Sequence, residues 1–128
     1  MKIEHLALNV TDPVAMADWY VKHLGMTLKR SGPGPVHARF LADDGGAVML
    51  EIYRNDSAFV PDYTTVAPLT LHLAIYSQDV AADRKRLVAA GATALTEVEA
   101  LTMGDSMAMM RDPWGVPIQL IHRSQRLI

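Results

Sequence analysis

IEHLALNVTDPVAMADWYVKHLG (residues 3–25) and TLHLAIYSQDVAADRKRLVAAG (residues 70–91) are two copies of one pattern. Each opens with an apolar strand carrying one histidine, His5 and His72, and reaches an aspartate seven residues later, Asp12 and Asp79. Such an aspartate suits a helix N-cap, because its carboxylate can accept an orphan backbone N–H. Pro13 fits the first helical position, where a missing N–H costs nothing. Apolar residues at spacings of three and four predict helices over Ala15–Leu24 and Val80–Ala90. Each copy ends on a glycine, Gly25 and Gly91, as a left-handed C-cap requires.

The duplication extends outward. Strands are expected at Met26–Arg30, Val36–Leu41 and Ala47–Tyr53, and again at Thr93–Val98, Ser106–Arg111 and Val116–His122. SGPGP (31–35), DDGG (43–46) and DPWG (112–115) read as turns between them. His5 and His72 lie 67 positions apart, Gly25 and Gly91 66, and Glu51 and Gln119 68. That near-constant offset predicts an α+β chain of two tandem βαβββ modules, about 1–60 and 68–128. Arg54–Pro68 is the linker, and the length suits a single domain spanning 1–128.

Composition narrows the chemistry. The chain has 128 residues, half of them hydrophobic, and can bury a core without staples. It has no cysteine, which removes disulfides, thiolate metal sites and thiol nucleophiles. A net charge of −2 argues against a nucleic-acid partner. Glu4, His5 and Asp12 interrupt the apolar run that a signal peptide needs, and no stretch approaches the roughly 18 apolar residues of a membrane span. A cytoplasmic protein with no membrane partner is expected.

Strand alternation sorts residues by face. Leu6, Leu8, Leu50, Ile52, Leu71, Leu73, Ile118 and Leu120 fall on the helix-facing side. The other side carries one strong polar group per strand: His5, Glu51, His72 and Gln119. A lone histidine or glutamate on a strand ordinarily meets solvent or a neighbour. Burying Glu51 without a partner is costly, and a cation removes that cost. Imidazole, carboxylate and amide oxygen suit zinc, nickel, cobalt, manganese or ferrous iron. Met49, Tyr53, Tyr76, Met107 and Met109 share the polar face and are candidates for a pocket lining, in a chain with eight Met.

EHLALNV, DWYVKHLGMTLKRS, AVMLEIYRND, LHLAIYSQDV and RDPWGVPIQLIHR together resemble the vicinal oxygen chelate superfamily, and the small bacterial glyoxalase I-like proteins within it. The resemblance implies an open, curved mixed sheet around a cavity, with metal ligands from the first, fourth, fifth and eighth strands, which here are His5, Glu51, His72 and Gln119. Glyoxalase I-like members carry His, Glu, His, Glu, so Gln119 departs from the pattern. The amide offers an oxygen to a metal but cannot accept a proton at neutral pH, which leaves Glu51 as the catalytic base. The epimerase-like order is His, Gln, His, Glu, and this chain resembles its mirror image.

The resemblance therefore implies a divalent-metal-dependent lyase or isomerase. It would act on a small molecule with vicinal oxygens, by polarising a carbonyl and moving a proton, and it would work as a homodimer. The alternative is a metal-free, drug-sequestering protein of the bleomycin-resistance kind. Dioxygenase and fosfomycin-resistance readings rank behind, because their carboxylate ligand sits on the last strand. Arg30, Arg39, Arg54 and Arg111 are the candidate cations for a thiol conjugate's carboxylates, with ordinary surface charge as the plainer reading.

Overall fold

The computed structural model describes residues 1–127, in two units, Met1–Pro61 and Asp62 onward. In the first unit the order is β1 (His5–Asn9), α1 (Pro13–Leu24), β2 (Thr27–Ser31), β3 (Arg39–Ala42) and β4 (Met49–Tyr53). In the second it is β5 (Leu73–Tyr76), α2 (Val80–Ala89), β6 (Thr93–Ala94), β7 (Glu99–Ala100), β8 (Ser106–Arg111) and β9 (Pro117–His122). Two short 3-10 turns, Tyr63–Thr65 and Thr102–Gly104, lie between these elements. Among the described residues the strands form two open sheets, ordered β1-β4-β3-β2 and β5-β9-β8-β6, with β7 pairing β8. Each sheet is mixed: its first and last-formed strands are parallel and the rest antiparallel. The expected α+β architecture and its duplication are therefore present. No helix among the described residues is long and apolar enough to cross a membrane.

Both N-caps form as the sequence predicts, whereas α2 is capped at its C-terminus by Ala90 at φ −91°, with Gly91 following at φ 100°. The Asp12 carboxylate accepts the Ala15 N–H at 3.0 Å, and the Asp79 carboxylate accepts that of Ala82 at 2.9 Å. Pro13 is the first residue of α1, as expected of a proline after the N-cap, two positions ahead of the apolar stretch Ala15–Leu24. Gly25 adopts φ 71°, the left-handed conformation that ends α1. Met16, Ala17 and Tyr20 on α1 are buried, as are Leu8, Leu41 and Ile52 on the sheet they cover. In the second unit Leu87 of α2 is buried, as are Ala108, Met110, Ile118 and Leu120 of β8 and β9. Fully burying one such aliphatic side chain is worth about 1.5–3 kcal/mol.

Strand boundaries moved where side chains compete with the ladder. The expected strand Val36–Leu41 begins only at Arg39. Up to Ala38 the chain is still turning: Gly32 N–H bonds the Ala38 carbonyl at 2.8 Å, and the Arg39 guanidinium holds the carbonyls of Gly32, His37 and Ala38. Of the expected strand Thr93–Val98 only β6, Thr93–Ala94, forms; it ends before Thr96, whose hydroxyl replaces a backbone partner by accepting the Met109 N–H at 3.1 Å, and β7 lies beyond the expected range. His72 stands one residue before β5, after a turn in which Thr70 and Leu71 N–H groups bond the Ala67 carbonyl.

Candidate functional site

The ladders put the histidine and the acid or amide of each unit in the same relative register. Ala7 pairs Glu51 and Ala74 pairs Gln119, with His5 and His72 two residues before each alanine. One sheet row of the first unit holds His5, Met49 and Ala42, and another holds Ala7, Glu51 and Phe40. In the second unit Gln119 lies opposite Met109, and Met107 and Tyr76 both lie opposite Ile121.

In the first unit His5 and Glu51 meet. The His5 Nε2 is 3.3 Å from Glu51 Oε2, with side chains 37% and 22% exposed. Two donors about 2.1 Å from a shared ion, in a tetrahedral or octahedral shell, lie about 3.0–3.4 Å apart. The other ring nitrogen, Nδ1, bonds the Glu4 carboxylate. Phe40 stands edge-on to the imidazole, with ring centroids 5.7 Å apart. The Glu4 hydrogen bond raises the His5 pKa above its ordinary value; burial opposes it, and the charges of Glu4 and Glu51 add to the rise.

In the second unit the His72 Nδ1 is 2.7 Å from the Pro68 carbonyl oxygen. A carbonyl only accepts, so Nδ1 carries the proton and the neutral ring's lone pair is on Nε2. Both ring nitrogens of His5 face carboxylates, but only Nδ1 is hydrogen-bonded, to Glu4, while Glu51 stands 3.3 Å from Nε2; the bonded Nδ1 carries the proton of the neutral ring. The Gln119 Nε2 donates to Met107 Sδ at 3.0 Å. Thioether sulfur also only accepts, so the amide oxygen is the end left for another partner. Three of the four predicted ligands thus have their coordinating atom selected by an acceptor-only neighbour at the opposite atom. Within either unit, among the described residues, no three His, Asp or Glu side chains form a metal-binding group; each unit carries a pair of the expected donors.

The other predicted residues divide sharply. The Tyr76 ring lies beneath the Arg126 guanidinium at 5.1 Å and beside His122. Met109 is buried, while Met49, Tyr53 and Met107 are half-buried. Of the four candidate arginines, three bond the protein itself. Arg39 and Arg111 hold three backbone carbonyls each, and Arg54 holds Asp56 and the Thr11 carbonyl. Trp114 is half-buried in its turn, where the buried Asp112 accepts the N–H groups of Trp114 and Val116.

Three residues at the site had not been singled out. Glu4 is adjacent to His5, and strand alternation would send it to the opposite face; it lies just before β1 and escapes the pleat. Phe40 joins the site through the β3–β4 register, which no single strand reveals. Asn9 shares the His5 side of β1 by alternation, and its amide is spent on the loop 55–59 through Asn55, Ala58 and Phe59.

Comparison with known proteins agrees with the fold. An uncharacterised protein of Mycobacterium bovis is 32% identical over 120 residues, covering 84% of this chain and 74% of its own length. The crystal structure of SMU.1112c is 32% identical with a TM-score of 0.72, covering 94% of this chain and 98% of that one. TnmS3, an antibiotic-binding protein of a Streptomyces species, is 25% identical with a TM-score of 0.73, covering 97% of each chain. The family model of the Glyoxalase/Bleomycin resistance protein/Dioxygenase superfamily matches residues 2–120, and the chain belongs to that superfamily.

Proposed function

We propose that this chain is a divalent-metal-dependent lyase or isomerase of the glyoxalase type, acting on a small molecule with two adjacent oxygens. The observation that carries this reading is the selection of ligating atoms: Nε2 on His5 and His72 and Oε1 on Gln119, with Glu51 Oε2 beside His5 Nε2. Metal-ligating histidines almost always give their other ring N–H to a carboxylate or carbonyl, and both histidines do so here. His5, Glu51, His72 and Gln119 would hold the ion. One carboxylate against a dication leaves a net charge of +1, and oxygen and imidazole donors suit zinc, nickel, cobalt, manganese or iron.

When bound, the ion supplies a Lewis acid that polarises a substrate carbonyl. Glu51 accepts the proton from the carbon beside that carbonyl and returns it to the product. Gln119 cannot take that role, because an amide has no basic lone pair at neutral pH. His5 and His72 fix the geometry. Met49, Tyr53, Tyr76, Met107 and Met109 would line the substrate pocket, and the chain would work as a homodimer.

Metal analysis tests the reading directly. Dialysed protein incubated with each of the five metals should retain at least one of them near stoichiometry. Glu51→Gln should reduce retention, and Gln119→Glu should strengthen it by adding a second negative charge. A chain that retains no metal above trace overturns the proposal. One observation favours a second reading, metal-free binding of an apolar ligand. Gln119 already spends its amide N–H on Met107 and lies opposite Met109, an adaptable thioether wall. TnmS3 is by its name an antibiotic-binding protein.

A further inference from the structure

We propose that Glu4 is a positioning residue of the metal site: its carboxylate holds the His5 Nδ1–H, presents Nε2 to the ion, and supplies a second negative charge just outside the ligands. This rests on the metal-dependent reading above. The two histidines stand two residues before Ala7 and Ala74, which pair Glu51 and Gln119, but have unlike anchors. His72 leans on the neutral Pro68 carbonyl, whereas His5 leans on a full carboxylate. A carboxylate behind an imidazole makes the ring more electron-rich and fixes its orientation more firmly than a carbonyl does.

Charge balance points the same way. Three neutral donors and Glu51 leave a bound dication at +1. Glu4, one residue from His5 and bonded to its ring, brings the cluster to zero without occupying a coordination position. The Glu4 side chain is 62% exposed. Its structural link to the sheet is its backbone carbonyl, which accepts the Met49 N–H at 3.0 Å. Replacing the side chain therefore leaves the β1–β4 ladder intact.

The experiment compares the parent chain with Glu4→Ala and Glu4→Gln. Zinc affinity is measured by competition with a chromophoric chelator, and the His5 ring tautomer by nitrogen-15 NMR of the metal-free protein at alkaline pH. Glu4→Ala should weaken zinc binding about 10- to 100-fold and release His5 from the Nδ1–H form. Glu4→Gln should keep that tautomer, since its amide oxygen still accepts, and give an intermediate affinity because the charge is gone. Equal zinc affinity and an unchanged tautomer in Glu4→Ala overturn the role of Glu4 alone. A parent chain that binds no zinc, nor any other of the five metals, overturns both this inference and the metal-dependent reading.

Discussion

Replacing Arg111 by alanine removes three hydrogen bonds from a charged group to backbone carbonyls: Tyr63 at 2.8 Å, Gly115 at 2.9 Å and Val66 at 2.9 Å. These bonds tie the 3-10 turn Tyr63–Thr65 to the turn that launches β9, the strand bearing Gln119. A hydrogen bond to a charged group contributes about 1.5–3 kcal/mol. Arg111 is only half-buried, so water replaces part of each bond, and about 1 kcal/mol apiece is the appropriate discount. The expected loss is about 3 kcal/mol, or roughly 10 °C in melting temperature for a chain of this size. Urea denaturation followed by circular dichroism measures it, with an unchanged slope expected because the surface exposed on unfolding is the same. Arg111→Lys should recover about a third, since an ammonium lacks the planar fork that reaches several carbonyls. A loss below about 1 kcal/mol in Arg111→Ala would refute the clamp and return Arg111 to the candidate substrate cations.

Two further predictions concern the fold. Gly115 sits at φ 88°, and a Cβ there would lie 2.6 Å from Thr64 Cγ2 and 2.8 Å from the Thr64 backbone nitrogen. Gly115→Ala should therefore cost at least about 3 kcal/mol, measured by the same denaturation, because backbone cannot step aside as a flexible side chain can. The Asp83 carboxyl is pushed up by burial but more than compensated by the Ser77 hydroxyl and Arg86, so its pKa falls below the usual carboxylate value. Its stabilising contribution is full above the unfolded value, about pH 4, and is lost as pH falls through the folded one. Stability measured from pH 6 to pH 2.5 should drop less steeply in Asp83→Asn than in the parent; parallel curves would exclude this linkage.

Much of the site was legible before any coordinates, because a duplicated chain gives each feature an internal control. His5 with His72 and Glu51 with Gln119 emerge from alternation plus a repeat offset, and the ladders put them in matching register. The helix N-caps were equally legible, since an aspartate before a helix acts within one turn of chain. The loop side of each strand was not. Val36–Ala38 reads as strand by hydropathy, but the Arg39 guanidinium gathers the carbonyls that a ladder would need. Thr96 likewise cuts its strand short through one hydroxyl.

The sequence by itself determined the α+β class, the duplication and the centre of each aliphatic core, Leu8 and Ile52 in one unit and Ile118 and Leu120 in the other, although Leu6 and Leu71, expected beside them, are exposed. These depend on periodicity and on short-range capping, which a linear pattern records. Tertiary structure decided which atom of each polar residue is available. The Pro68 carbonyl, the Glu4 carboxylate and the Met107 sulfur each select the tautomer or amide orientation of a neighbour, and Phe40 closes on His5 through the β3–β4 register. Hydrogen-bond roles depend on distance and direction in space, and residue spacing encodes neither.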